Sequence, residues 1–140
     1  MEVYDETGKL SGSYNLKEGR KEGPEWRYFP NGKPKLLIQW QGDQIQGIVK
    51  TWYESGALES EREMCGSKKQ GLSFGYYASG DLMLMEEYGN DKLFKGSYYP
   101  KGEKSAISKI EQGEGVATLY TSDGLFAQKI LYQRGWPVVE

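Results

Sequence analysis

The sequence predicts an all-β fold of tandem hairpins, and three regularities in it carry that prediction. Six glycines, Gly8, Gly32, Gly56, Gly80, Gly102 and Gly124, recur at steps of 24, 24, 24, 22 and 22 residues. An aromatic stands four residues before each: Tyr4, Tyr28, Trp52, Tyr76, Tyr98 and Tyr120. A large apolar residue stands eight residues after each: Leu16, Trp40, Met64, Tyr88, Ile110 and Tyr132. Aromatics make up only 14% of the chain, so six coincidences in six mark a genuine repeat. A period in this range signals a repeat architecture, which governs every other reading.

The unit can be built from the spacing. Apolar residues fall at even offsets on both sides of each glycine: Trp26 and Tyr28 before Gly32, Leu36, Ile38 and Trp40 after it. Odd offsets are mostly charged or small, as in Glu59, Glu61 and Glu63. Alternation with period two on both sides of a turn residue is a β-hairpin with one face buried. A two-residue turn at Asn31-Gly32 would set an even offset against an odd one. A three-residue loop instead pairs Tyr28 with Pro34, Trp52 with Leu58 and Tyr76 with Leu82. Such a loop is a type I turn closed by a left-handed residue, which glycine adopts without a Cβ penalty.

In chain order the expected units are 1–22, 23–46, 47–70, 71–92, 93–114 and 115–140, one repeat domain of about twelve strands. Further turns near Gly42 and Gly66 join the hairpins into one elongated antiparallel meander sheet with little or no helix. The second and third units are the most regular, each opening on a glycine, Gly23 or Gly47. The fifth lacks that glycine and carries Lys104 where leucine is usual, so it reads as a hairpin with a tighter link. Pro137 cannot donate to a ladder and blunts the last edge. The opening of the chain inside a repeat points to a chain boundary or a missing upstream segment, which leaves open both a single repeat domain and a fragment of a longer chain.

Gly-x-x-x-x-aromatic-aromatic-x-x-Gly stands twice, as Gly47-Ile-Val-Lys-Thr-Trp-Tyr-Glu-Ser-Gly56 and Gly71-Leu-Ser-Phe-Gly-Tyr-Tyr-Ala-Ser-Gly80. This pattern resembles the MORN repeat, and is most similar to the bacterial variant of YwqK-like, antitoxin-type proteins. The resemblance covers essentially the whole chain, and the second to fourth units match best. It implies tandem hairpins in one elongated, twisted or curved sheet, and for function protein binding at most, because such repeats also occur beside unrelated catalytic domains.

Composition excludes several classes of activity. Histidine is absent, which removes the commonest general base and metal ligand. One cysteine supplies neither a zinc cluster nor an intrachain disulfide. No glycine-rich segment matches a phosphate-binding loop. The net charge of −2 offers no general pull toward nucleic acid and argues against phospholipid binding. No apolar run spans a bilayer and no signal peptide is visible, which favours the cytoplasm. Catalysis, a cofactor and a metal are therefore not expected.

The candidate binding residues are a second aromatic row, three residues before the turn glycines: Phe29, Tyr53, Tyr77 and Tyr99. They fall on the face opposite the predicted core row. The ordinary reading is that a single-layer sheet needs cover on both faces, and tyrosine is a strand former. The functional reading is a platform of rigid aromatics, the residue type enriched at interfaces. Glu59, Glu61 and Glu63 are expected to border this strip and to favour a basic protein partner. Two other readings stand beside it: a scaffold or targeting region of a larger protein, and edge-to-edge self-association.

Overall fold

A computed structural model describes residues 1–139; Glu140, the end of the predicted sixth unit, lies outside the described residues. Among the described residues there are sixteen strands and no helix. They belong to two compact units, one from Met1 to Lys68 and one from Lys69 onward. The first unit holds β1 (Glu2–Tyr4), β2 (Leu10–Ser13), β3 (Leu16–Lys17), β4 (Arg20–Lys21), β5 (Gly23–Tyr28), β6 (Pro34–Gln41), β7 (Gln44–Ile45), β8 (Gly47–Trp52) and β9 (Leu58–Cys65). The second holds β10 (Lys68–Tyr76) from its second residue on, then β11 (Leu82–Gly89), β12 (Lys92–Tyr98), β13 (Ser108–Glu111), β14 (Glu114–Tyr120), β15 (Phe126–Gln133) and β16 (Trp136–Pro137). All pairings within each unit are antiparallel. The count exceeds the expected twelve because the connections between hairpins contribute short strands of their own.

The three-residue turns form as the spacing requires. Tyr4 pairs with Leu10, Tyr28 with Pro34, Trp52 with Leu58, Tyr76 with Leu82 and Tyr120 with Phe126. Each turn is closed twice. The glycine N–H donates to the carbonyl three residues back, as Gly56 does to Tyr53 at 2.9 Å. The residue at that position donates to the carbonyl just past the glycine, as Tyr53 does to Ala57 at 2.9 Å. Gly56 sits at φ 98°, in the region where a side chain is strained.

A bulge succeeds each of these five turns and overturns part of the expected facing. Arg27 pairs with Leu36 while its neighbour Tyr28 pairs with Pro34, so Lys35 is the extra residue. Directly opposed residues share a face. Trp26 therefore shares its face with Leu37, and Leu36, Ile38 and Trp40 lie with Arg27, Glu25 and Gly23 on the other. Even offsets on the two sides of a glycine are not one face, because a single inserted residue inverts the alternation of the returning strand. We call the face of Trp26, Tyr28 and Trp52 the front, the opposite one the back, and use the same terms in the second unit.

The links between hairpins are a second turn type. Glu18-Gly19, Gly42-Asp43, Gly66-Ser67, Asn90-Asp91, Gln112-Gly113 and Arg134-Gly135 each place two consecutive residues at positive φ. That is the two-residue hairpin turn matched to the twist of the strands, and it favours Gly, Asn and Asp. The links are also stitched to each other. Lys21 donates its N–H to Asp43 Oδ1 at 2.6 Å, and Lys69 does the same to Asp91 Oδ1 at 2.8 Å, both 22 residues on.

The fifth unit departs from the rule. Tyr98 pairs with Ser108, so Gly102 lies inside a loop over 99–107 and not in a turn equivalent to the other five. Leu84 pairs with Tyr98, where Leu36 in the first unit pairs with Thr51, one place further from its glycine. The aromatic of this hairpin consequently points to the back, over Gly96, where a Cβ would lie 2.5 Å from its hydroxyl.

That inversion builds a core. Tyr88, Leu93, Tyr98, Ile110 and Ala117 are buried on the back of the second unit, with Leu84, Leu119, Ile130 and Tyr132 packed against them. In the first unit only Gly12 and Glu25 are buried, and its large apolar side chains cover one another in a single layer. Trp26 stacks on Tyr28 and on Trp52, with ring centroids 6.4 and 5.9 Å apart.

Two glycines separate conformational strain from collision. Gly32→Ala meets no atom within 4 Å and bears only the left-handed penalty, about 1–2 kcal/mol. Gly115→Ala would drive a Cβ into the Lys109 carbonyl oxygen, so urea denaturation should show a clearly larger loss. Equal losses at the two sites would contradict the packing of β13 against β14.

Candidate functional site

The residues three before the turn glycines open the turns, and the turn holds their backbone rigidly in place. Phe29 donates to Lys33 O and Tyr53 to Ala57 O, both at 2.9 Å. Their half-buried rings flank a shallow recess of about 410 Å³ with Leu36, Thr51 and Trp52. Lys35, Glu54 and Glu59 rim it. Leu36 pairs with Thr51 across the junction of β6 and β8, which brings two successive hairpins to one spot. Lys35 Nζ stands 5.6 Å from the centre of the Phe29 ring. Burial, with the Glu59 carboxylate second, raises the Tyr53 phenol above its ordinary value.

Tyr77 does not join them. It is fully buried at 0% exposure, its hydroxyl donates to the Tyr99 carbonyl at 2.5 Å, and its ring lies 6.3 Å from that of Tyr120. The expected exposed platform therefore fails at this position. The cause is the irregular fifth unit: its 99–107 loop replaces a tight turn and lies against Tyr77, and Ala78 bonds to Ser122 O at 3.0 Å. Tyr99 is half-buried, and its N–H donates to Met83 O at 2.9 Å. Phe29 and Tyr53 line a common recess.

The acidic row is likewise divided. Glu59 is the bulge residue of its hairpin and rims the recess. Glu61 and Glu63 pair with Lys50 and Ile48 and so lie on the front with Trp52, away from Tyr53. Lys50 Nζ stands 3.9 Å from Glu61.

A polar node at Glu25 is not apparent from the spacing of the repeats. This carboxylate is 3% exposed and accepts from Lys21 Nζ at 2.7 Å, Arg27 Nε at 3.1 Å and Nη2 at 3.0 Å, and Trp40 Nε1 at 3.0 Å. Lys21 Nζ also stands 5.2 and 5.0 Å from the rings of Tyr14 and Trp40. The one signal for it in the sequence is an acid at a position that other hairpins fill with Val49, Ser73 or Ala117. Burial acts to raise this carboxyl, but Lys21, Arg27 and Trp40 outweigh it and hold it below the usual range. In the second unit Glu86 accepts from the hydroxyls of Tyr88 at 2.9 Å and Tyr98 at 2.6 Å. Burial and that carboxylate push the Tyr98 phenol far up. Among the described residues no group of three or more His, Cys, Asp or Glu could hold a metal ion.

An all-β chain of tandem hairpins, alternating a three-residue turn with a two-residue one, is a hairpin-repeat protein. Residues 45–65 match the family model described as a MORN repeat variant, which supports reading the chain as a MORN-repeat protein. The matched segment spans the third hairpin, β8 and β9, whose Tyr53 lines the recess. No curated protein and no solved structure matches the chain.

Burial and charge give two expected outcomes. Tyr77→Ala should cost about 3–5 kcal/mol in chemical denaturation, and the half-buried Tyr53→Ala clearly less. Equal losses would mean that Tyr53 is core. Glu25 has a depressed folded pKa, so its contribution is present above the ordinary carboxylate range and is lost as pH falls through the folded value. Glu25→Gln should lose about 1–3 kcal/mol at neutral pH and show a flatter stability profile below pH about 5. An unchanged acid limb would remove Glu25 from the account.

Proposed function

We propose that the chain is a non-catalytic protein-interaction module whose contact centre is the Phe29–Tyr53 recess. One observation carries this reading. Two aromatics from successive hairpins converge beside Leu36 and Thr51, on rigid turns, at a spot left open on the surface. An apolar floor rimmed by Lys35, Glu54 and Glu59 suits an aliphatic or aromatic side chain of a partner, with polar groups around it to fix orientation. With one lysine and two acids on that rim, charge gives little preference for a basic partner. The match to a MORN repeat variant supports an interaction role, since such repeats serve as interaction modules. An antitoxin-like role, implied by the YwqK-like pattern of the sequence, is one form such a module takes.

The test is affinity capture from the source cell with the intact chain as bait. Tyr53→Ala should weaken retention of a specific partner by roughly thirtyfold, the typical loss at a hot-spot aromatic. Thr7→Ala, in the first turn and outside the recess, should retain it. A folded Tyr53→Ala protein that holds its partner as tightly as the parent would sink the proposal.

A further inference from the structure

The chain has three asparagines, Asn15, Asn31 and Asn90, and only Asn31 is followed by glycine. An asparagine side-chain carbonyl carbon can be attacked by the backbone nitrogen of the next residue, which closes a succinimide ring. A side chain on that next residue hinders the approach, and glycine has none. Leu16 and Asp91 follow the other two asparagines. Asn31 and Gly32 are both exposed, and no atom lies within 4 Å of where a Gly32 Cβ would stand.

Asn31 also ties two turns together. Its Nδ2 donates to the Glu54 carbonyl at 3.0 Å, and Lys33 Nζ donates to the Ser55 carbonyl at 2.9 Å. Both acceptors belong to the turn that Tyr53 opens, since Tyr53 donates to Ala57 O at 2.9 Å. Asn31 Oδ1 accepts the Lys33 N–H at 2.9 Å, so each end of the amide has its own partner. The other repeat glycines are preceded by Thr7, Ser55, Ser79, Lys101 and Asp123, none of them an amide. Asp123 shows what an acid does in this place. Its turn closes as usual, with Gly124 donating to Thr121 O at 3.0 Å and Thr121 to Leu125 O at 2.8 Å. Its carboxylate accepts from the Thr121 hydroxyl and has no N–H to offer a neighbouring turn.

We propose that Asn31 is a self-modifying site whose deamidation releases the turn that carries Tyr53. The Gly32 backbone nitrogen bonds to Asn31 Cγ and gives up its proton, and the side-chain nitrogen leaves as ammonia. Water then opens the succinimide. Attack at Cγ yields aspartate; attack at the main-chain carbonyl carbon yields isoaspartate, whose backbone is longer by one carbon. The Gly32 N–H is bonded to the Phe29 carbonyl at 2.8 Å, so the turn must open before its nitrogen can attack. Turn opening therefore paces the reaction. Either product removes the donor to the Glu54 carbonyl and sets a carboxylate in its place. The step consumes only water and needs no partner, so it stands whether or not the recess binds one.

Ageing the intact chain in mildly alkaline buffer tests the chemistry, with peptide mapping by mass spectrometry and an isoaspartate methyltransferase assay. Conversion should appear at Asn31 before Asn15 or Asn90, and Gly32→Ala should slow it. Hydrogen exchange on fresh chain carrying Asn31→Asp tests the consequence. The Tyr53 and Gly56 amides should exchange roughly fivefold faster, the ratio that corresponds to the loss of one hydrogen bond. The Tyr77 and Gly80 amides, which close the equivalent turn of the second unit, should keep their rates. Circular dichroism checks that both variants retain the fold. Four outcomes overturn the proposal: no conversion at Asn31, conversion at Asn15 or Asn90 first, equally fast conversion in Gly32→Ala, or exchange at Tyr53 and Gly56 that Asn31→Asp changes no more than at Tyr77 and Gly80.

Discussion

Five hairpins of this protein each depend on one inserted residue. A glycine at positive φ closes a three-residue turn, and the ladder beyond it resumes one residue out of step. The insertion decides which side chains meet. Without it Trp26 would stand with Leu36 and Ile38; with it, Trp26 faces Leu37 and is free to stack on Tyr28 and Trp52. The returning strand then sends Leu36, Ile38 and Trp40 to the other side, beside Glu25 and Arg27. A repeat of period 24 thus furnishes apolar side chains to both faces of a single layer. No second layer is then needed to cover one continuous apolar side, which domains of two packed layers ordinarily provide.

The two units use this rule to different ends. In the first, Glu25 fills the back with a carboxylate satisfied by four donor contacts and gripped by an aromatic-clamped lysine. A buried charge is tolerable there because its bonds are complete. In the second, Tyr98 turns inward over Gly96 and meets Tyr88 through a shared carboxylate, Glu86, so an apolar cluster forms around it. One misplaced aromatic, in the least regular hairpin, is what gives the second unit a core that the first lacks.

Much of this is legible in residue spacing. The turn glycines, the five pairings from Tyr4–Leu10 to Tyr120–Phe126 and the absence of helix among the described residues all accord with parity and turn chemistry. The facing beyond each turn is not, because the turn type that sets the pairing also brings the bulge, whose consequence lies one step further along the ladder. Position alone does not separate Tyr77 from Tyr53 either. They occupy the same place in consecutive repeats, and their exposure is decided by the next hairpin along the chain. The Glu25 node is hidden for a similar reason, since its donors come from Lys21, Arg27 and Trp40, and Trp40 lies fifteen residues away.

The candidate site owes its existence to regularity, and its loss elsewhere to irregularity. In the first unit the junction of two orthodox hairpins leaves the aromatics at Phe29 and Tyr53 as walls, with Leu36 and Thr51 between them and nothing long enough to fill the gap. In the second, the 99–107 loop supplies a carbonyl that captures the hydroxyl of Tyr77, and the turn of the last hairpin bonds to Ala78 beside it. An exposed aromatic becomes a buried one without any change in its own sequence position. The exposure of such an aromatic is therefore set by the junction after its hairpin more than by the hairpin itself. The regular junction leaves a recess between Phe29 and Tyr53, and the irregular one closes the space over Tyr77.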